Sequence, residues 1–422
     1  MVRSDEFEDS LAKYARLVIG VGLNVQPGQG LMVADSGLRF GLPHEAEPMI
    51  RKLAQAARAS GAGPVDPIWG SHSMTLLDLK SEGLRWVKAM PTWRFQAAAD
   101  HVSRGGAHLW VHAYDPRLMD EVNQEVVSAF EKRILELTDV IRQSTTRNLT
   151  NWCVIAVPGA GWADRVFPNL PRAERLPRLW ESIFRVCRVD RPDPAAAWQE
   201  HARALQARSH YLNEKAYAAL HYRAPGTDLT VGLAKGHIWH GGGDVTTSGI
   251  PFIPNLPTEE VYTLPDRTRA EGTVSASMPL STGGRLIEGI QLVFRDGRVV
   301  EAHAASHEED LKALLAMDEG ATHLGEAALV PHSSPIAQSG ILFYDTLLDE
   351  NAACHLALGR GYTSTIRGGD AMDDDGFHAA GGNLSLIHVD FMIGRPDMHI
   401  DGVTHDGVSE PVFRTGDWAF DV

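Results

Sequence analysis

The stretch Ala224-Pro-Gly-Thr-Asp228, followed at once by Leu229-Thr-Val-Gly-Leu233, divides this sequence into two kinds of chain. Upstream, Leu11, Tyr14, Ala15, Val18 and Ile19 recur at helical spacing and predict a helix over 7–21. The turn Gln26-Pro-Gly-Gln-Gly30 then leads into Leu31-Met-Val-Ala34, a short buried strand. Further helices are expected over 48–60, around 76–90 and as one long rod over 121–144. Strands are expected at Pro67-Ile-Trp69, His108–Ala113 and Asn151–Val157, and 173–224 reads as helical with a break at Asp190–Pro194. Strands alternating with helices point to an open, mostly parallel sheet. Downstream of Leu229 the pattern changes to short strands at 229–233, 284–288, 290–294 and 298–302. Asp296-Gly297 supplies the positive φ angles of a tight hairpin between the last two. The fold expected is therefore α/β, with an N-terminal open, mostly parallel α/β domain over 1–220. A C-terminal α+β domain over 221–422 would carry the chemistry.

Bulk properties narrow the function classes. A chain of 422 residues exceeds one typical core, in keeping with two domains. Its formal net charge of −15 makes duplex nucleic acid and anionic membrane surfaces poor partners. No apolar run approaches the ~20 residues that span a bilayer. Cys153, Cys187 and Cys354 form no C-x-x-C pair and no disulfide framework, which suits a reducing cytoplasm. The start, Met1-Val-Arg-Ser-Asp-Glu-Phe-Glu-Asp9, is acidic where a signal peptide would be basic and then apolar. Gly159-Ala-Gly161 lacks the third glycine of a dinucleotide fingerprint, because Asp164 stands there, and simple turns account for these glycines. H-E-x-x-H, G-x-S-x-G and P-loop motifs are all absent from the sequence.

Residues suited to a metal gather between His323 and Gly402. In His388-Val-Asp390, strand alternation sets an imidazole and a carboxylate side by side, able to hold one cation or simply to bond each other. Glu350 and His355 flank the small, apolar Asn351-Ala-Ala-Cys354, where a buried histidine needs a metal or a carbonyl as partner. Glu326 precedes Ala327-Ala-Leu-Val330, a run too apolar for a solvated carboxylate. In Thr258-Glu-Glu260, alternation along an apparent strand would turn one acid inward and the other to the surface. Tyr362 could stabilise an oxyanion or merely pack. His399, Asp401, His405 and Asp406 form a second cluster around Gly402, read as a mostly solvated hairpin-like turn.

Five segments in order carry a stronger signal: Pro257-Thr-Glu-Glu-Val261, His323-Leu-Gly-Glu326, Phe343–Asn351, Cys354-His-Leu-Ala-Leu-Gly359 and His388-Val-Asp-Phe-Met-Ile-Gly394. Together they resemble the thermophilic metalloaminopeptidases, the group of aminopeptidase T and aminopeptidase S. Gly22–Gly28 and Val157-Pro-Gly-Ala-Gly-Trp162 extend the likeness over nearly the whole chain. The resemblance implies a homodimer with a dinuclear site in the C-terminal domain, acting on peptides with a free N-terminus. Its implied ligands are Glu260, Glu326, His355, His388 and Asp390, with Glu260 rather than Glu259 by its distance from Glu326. Glu326 is expected to bridge, Glu350 to act as base or further ligand, and Tyr362 to stabilise the tetrahedral intermediate. Two divalent ions, zinc or cobalt, with manganese or magnesium also suited to such ligands, would activate water and polarise the scissile carbonyl. The rival enzyme reading is a mononuclear non-haem iron ring-cleaving dioxygenase built on His355, His388 and Asp390, which leaves Glu260, Glu326 and Glu350 without a task. A non-catalytic peptide-binding protein is the third reading.

Overall fold

The computed structural model describes residues 5–282 and 285–422, so the Gly284 end of one expected strand lies outside the described residues. Two compact units emerge. The first holds the chain up to His201 together with Gly243–Thr258 and Arg285; the second holds Ala202–Gly242, Glu259–Thr282 and Leu286–Val422.

In the first unit, five parallel strands run in the order Asn255–Leu256, Trp152–Ala156, Ala107–His112, Leu31–Asp35, Val65–Pro67. The parallel sheet expected from the alternation is therefore present. Leu31–Asp35 is buried along its whole length, as a strand covered on both faces must be. Phe40, Phe95, Phe130 and Trp110 pack one core beside it. The expected rod over 121–144 is instead two helices, Gln124–Leu137 and Asp139–Thr146, broken at Thr138. Thr138 leaves helical geometry and turns its hydroxyl back onto Ile134 O at 2.8 Å, the competition with the backbone that makes threonine a poor interior residue. The segment around 76–90 is likewise split, into His72–Ser81 and Leu84–Ala89, by Gly83 at φ 56°.

In the second unit an eight-stranded antiparallel sheet runs Arg298–His303, Gln291–Arg295, Pro265–Ser275, Thr227–Leu233, Ala219–Ala224, His399–Val403, Ser409–Arg414, Asp417–Trp418. Asp296 and Gly297 adopt φ 50° and 78°, the turn geometry expected of them. Helix does not extend to Ala224. The helix Pro194–Lys215 ends and Ala219–Ala224 is a strand, hairpinned to Thr227–Leu233 through Gly226 at φ 76°. Leu220 and Tyr222 alternate into the core there, and that period of two overrides the preceding helical pattern.

The second His/Asp cluster is also placed differently from expectation. His399–Val403 is a strand with Gly402 inside it, and Asp401 is buried between the guanidinium groups of Arg223 and Arg414. Only His405 and Asp406 occupy the exposed turn.

Phe130 is fully buried, whereas Val140 is 59 % exposed. Phe130→Ala should cost about 3–5 kcal/mol in chemical denaturation monitored on the first unit, by lost transfer energy and a residual cavity. Val140→Ala should stay within roughly 0.5 kcal/mol.

Candidate metal centre

A smaller sheet of the second unit carries the site. Its five antiparallel strands are ordered His388–Met392, His355–Gly359, Leu324–Leu329, Val261–Thr263, His240–Gly241. Residues directly opposite in such a ladder project to the same face. One face takes Val261 with Leu329, Ala327 with Leu356 and Phe391, and Leu324 with Leu358, and these apolar side chains join the core. The other takes Tyr262, Ala328 and His355 in one row and Glu326, Ala357 and Asp390 in the next, with His388 opposite Gly359 beyond them. Small residues at Ala328, Ala357 and Gly359 leave space above the sheet between the polar groups.

Strict alternation would have put Leu324 and Glu326 on one face. The register shifts between them: Leu324 pairs with Leu358, yet Glu326 pairs with Ala357. Gly325 is the extra residue of this bulge, and the insertion sends leucine to the core and glutamate to the polar face. A Cβ on Gly325 would lie 2.3 Å from Gly359 O and 2.5 Å from Arg360 O, so only glycine fits.

The side chains thus brought together lie close to one another. His355 Nε2 is 3.0 Å from Glu260 Oε2 and 3.6 Å from Glu326 Oε1. His388 Nε2 is 3.8 Å from Glu326 Oε2 and 3.4 Å from Asp390 Oδ1. Two groups result, Glu260–Glu326–His355 and Glu326–His388–Asp390, each with its ligand atoms within 4.8 Å of one another, and Glu326 belongs to both. All five resemblance-derived ligand positions are therefore in one place. Both acids of Thr258-Glu-Glu260 are buried, at 4 % for Glu259 and 7 % for Glu260, so neither is the surface residue expected. They precede the strand rather than lie within it, and the alternation rule does not apply to them.

Backbone carbonyls fix both imidazoles. His355 Nδ1 lies 3.0 Å from Glu350 O and 3.1 Å from Ala353 O, and His388 Nδ1 lies 2.6 Å from Arg360 O. A carbonyl only accepts, so each Nδ1 carries hydrogen and each ring turns its Nε2 toward the carboxylates, the atom that would ligate a cation. Glu260 Oε2 and Asp390 Oδ1 are buried and accept no hydrogen bond. Buried carboxylate oxygens without a hydrogen-bond partner, set beside two imidazole Nε2 atoms, fit a divalent cation.

Electrostatics express the same crowding. Burial raises the Glu326 carboxyl, reinforced by the charges of Asp390 and Glu260 and opposed by His355. Burial raises Glu350 well above the carboxylate range, with Asp390 and Glu260 pushing it further. For Asp390, burial is outweighed by His388, and the group is lowered. Burial would lower His388, but Asp390 and Glu326 carry it up to about 9. Tyr362 stands edge-on to His388 at 5.1 Å between ring centroids, and burial next to these anions raises its hydroxyl.

Other members of the opening cluster serve elsewhere. His323 Nδ1 lies 2.8 Å from Arg267 O, apart from both groups. Cys354 bonds Val330 through sulfur, with Sγ donating to Val330 O at 3.3 Å and accepting from its N–H at 3.4 Å. Three participants escaped the sequence reading. Gly325 gives no sign of a bulge until its pairing is known. Tyr262, two residues beyond Glu260 and 6.2 Å ring to ring from Tyr362, was legible by alternation. Asp349 lies buried beside Glu350 and accepts the backbone N–H groups of Phe343 at 2.8 Å and Asp345 at 3.1 Å, and burial pushes its carboxyl up to about 8.

Gly325→Ala forces the bulge against Gly359 O and displaces Glu326. Metal binding, measured by equilibrium dialysis, and any turnover that depends on it should fall roughly a hundredfold, the scale of a 1 Å misplacement, while far-ultraviolet circular dichroism is unchanged.

Known proteins resemble this chain over nearly its whole length. The chain is 42% identical over 418 residues to aminopeptidase 2 of Geobacillus stearothermophilus, covering 99% of this chain and 100% of that one. It is also 42% identical over 414 residues to aminopeptidase T of Thermus thermophilus, covering 98% and 99%. The structure of wild-type AmpT from Thermus thermophilus superposes with a TM-score of 0.88 over 98% of this chain and 100% of that one. The family profile described as Thermophilic metalloprotease (M29) matches residues 7–418, and the chain belongs to that family of peptide hydrolases.

Proposed function

We propose that the protein is a metal-dependent aminopeptidase with a dinuclear centre, releasing N-terminal residues from peptides. The observation that carries this reading is the pair of three-residue groups sharing Glu326. Glu260, His355 and one oxygen of Glu326 would hold the first ion; His388, Asp390 and the other oxygen would hold the second. The three ligand carboxylates nearly balance two divalent charges, and the imidazole and carboxylate donors suit zinc or cobalt, with manganese and magnesium also compatible. When bound, such a pair supplies a nucleophilic water at neutral pH and polarises the scissile carbonyl.

The chain's own residues complete the chemistry. Glu350 is the proposed general base: buried beside the ligand carboxylates, it has a carboxyl raised by burial and by Asp390 and Glu260, and in its ionised form it would take a proton from water and return it to the leaving amine. Tyr362, beside His388, would donate its hydroxyl hydrogen to the developing oxyanion. The catalytic part is read as residues 221–422, after an N-terminal domain of 1–220. The protein is further proposed to act in the cytoplasm, in keeping with three cysteines that form no C-x-x-C pair, and as a homodimer, as the family resemblance implies.

An iron dioxygenase would need His355, His388 and Asp390 around one ion. The two groups that form divide His355 from His388, and the carboxylate of Glu326 stands in both.

Chelator-treated protein should lose hydrolysis of aminoacyl-anilides and regain it with zinc or cobalt, while showing no oxygen uptake with a hydroxypyridine and no stoichiometric iron. Glu326→Gln and His388→Ala should each abolish turnover together with metal binding. Full activity of both in metal-stripped buffer would overturn the assignment. Glu350→Gln should retain the metal yet lower kcat by roughly 10²–10⁴-fold, the range for loss of a general base.

A further inference from the structure

The amide of Asn351 links the backbone at Glu259 to the Glu350 turn, two segments far apart in the chain. The residue is 0 % exposed, and both ends of its side chain are used. Its Oδ1 accepts the backbone N–H of Glu259 at 2.6 Å, at the segment that delivers Glu260. Its Nδ2 donates to Leu347 O at 2.9 Å and points to Glu350 Oε1 at 3.4 Å. Its own carbonyl accepts from Ser334 Oγ at 3.1 Å, and that hydroxyl also accepts from Ala337 N–H to cap the helix Pro335–Ser339. The backbone of the Glu350 turn is thereby anchored from outside.

Few side chains can make this set of bonds. The Glu259 contact needs an acceptor, and the Leu347 and Glu350 contacts need a donor on the same planar group. Aspartate keeps the acceptor but sets a second anion against Leu347 O and Glu350. Leucine keeps the volume and orphans a buried N–H and a buried C=O. Glutamine is one methylene too long for a fully buried site.

We propose that Asn351 is a positioning residue, an amide clamp that fixes the distance between the metal ligand Glu260 and the base Glu350. Asn351 belongs to neither ligand group. The clamp sets where the base stands relative to the ligand set, so its loss should fall on kcat rather than on KM. The proposal rests on the metallopeptidase reading of Glu260 and Glu350.

The test uses the metal-loaded full chain and three variants, Asn351→Asp, Asn351→Leu and Asn351→Ser, with Ser334→Ala as a control that loosens the same turn without touching the amide. Metal stoichiometry, metal affinity, kcat and KM on an aminoacyl-anilide, and thermal unfolding are measured for each. The expected result is a fall of roughly 10–100-fold in kcat or metal affinity for Asp and Leu, the scale set for partners that orient ligands, with KM little changed. Serine, whose single hydroxyl stops at the position of the amide carbon and reaches neither segment, should lose as much as Asp and Leu, and Ser334→Ala should stay near wild type. Variants that keep kcat and affinity within about twofold overturn the clamp, since orienting partners ordinarily cost at least tenfold. So does a loss that follows unfolding temperature across all four, Ser334→Ala included, because that assigns Asn351 to packing alone. A wild type that neither binds metal nor hydrolyses the anilide fails earlier, at the metallopeptidase reading, and takes the clamp with it.

Discussion

Four buried carboxyl groups, Glu260, Glu326, Glu350 and Asp390, converge with the buried His355 and the half-buried His388 over the polar face of a single antiparallel sheet, Glu260 and Glu350 reaching it from the segments beside the strands. Like charges brought this close in a low-dielectric site repel strongly, and each ionised carboxylate also forfeits its hydration. The crowding shows in the titration of the groups: burial and the neighbouring anions raise Glu326 and Glu350, and Asp390 and Glu326 carry His388 up to about 9. Glu260 Oε2 and Asp390 Oδ1 are buried without a hydrogen-bond partner. Cations would relieve both deficits at once, which is why the arrangement reads as a metal centre rather than as a set of buried salt bridges.

Much of the second unit can be understood as support for that crowding. The apolar face of the same sheet contributes Val261, Leu324, Leu329, Leu356, Leu358 and Phe391 to a core shared with the eight-stranded sheet, and this burial offsets the cost of the polar face. Backbone carbonyls of Glu350, Ala353 and Arg360 hold the two rings by Nδ1. Buried amide and carboxyl groups at Asn351 and Asp349 hold the turn that leads from Phe343 to the ligand strand. The site is thus a product of strand pairing first and of side-chain hydrogen bonding second. A single-residue slip in any of the pairings would move its ligands to the wrong face.

The fold was legible in proportion to how local its signals are. Buried strands such as Leu31–Asp35 and Trp152–Ala156 announce themselves by unbroken apolar runs, and Asp296-Gly297 by its turn chemistry. Readings failed where a distant partner decides. Ala219–Ala224 looks like a continuation of the helix before it until Thr227–Leu233 and His399–Val403 are seen to pair with it on both sides. Asp401 looks solvated until Arg223 and Arg414 are found around it. Thr138 breaks a helix whose apolar periodicity runs straight through it.

The sequence by itself determined which residues could bind metal. His355, His388 and Asp390 sit among small apolar neighbours, and Glu326 enters a run that cannot solvate it; their order along the chain was enough for a family resemblance. It could not determine on which face each side chain lies. Period-two alternation puts Leu324 and Glu326 together, and only the bulge at Gly325, defined by pairing with Leu358 and Ala357, separates them. Nor could it join Glu260 to a histidine 95 positions later (355 − 260), since that contact depends on the strands Val261–Thr263 and His355–Gly359 flanking Leu324–Leu329. Residue type follows from local chemistry, whereas sidedness and convergence follow from the register of non-local hydrogen bonds, and register exists only in the folded sheet.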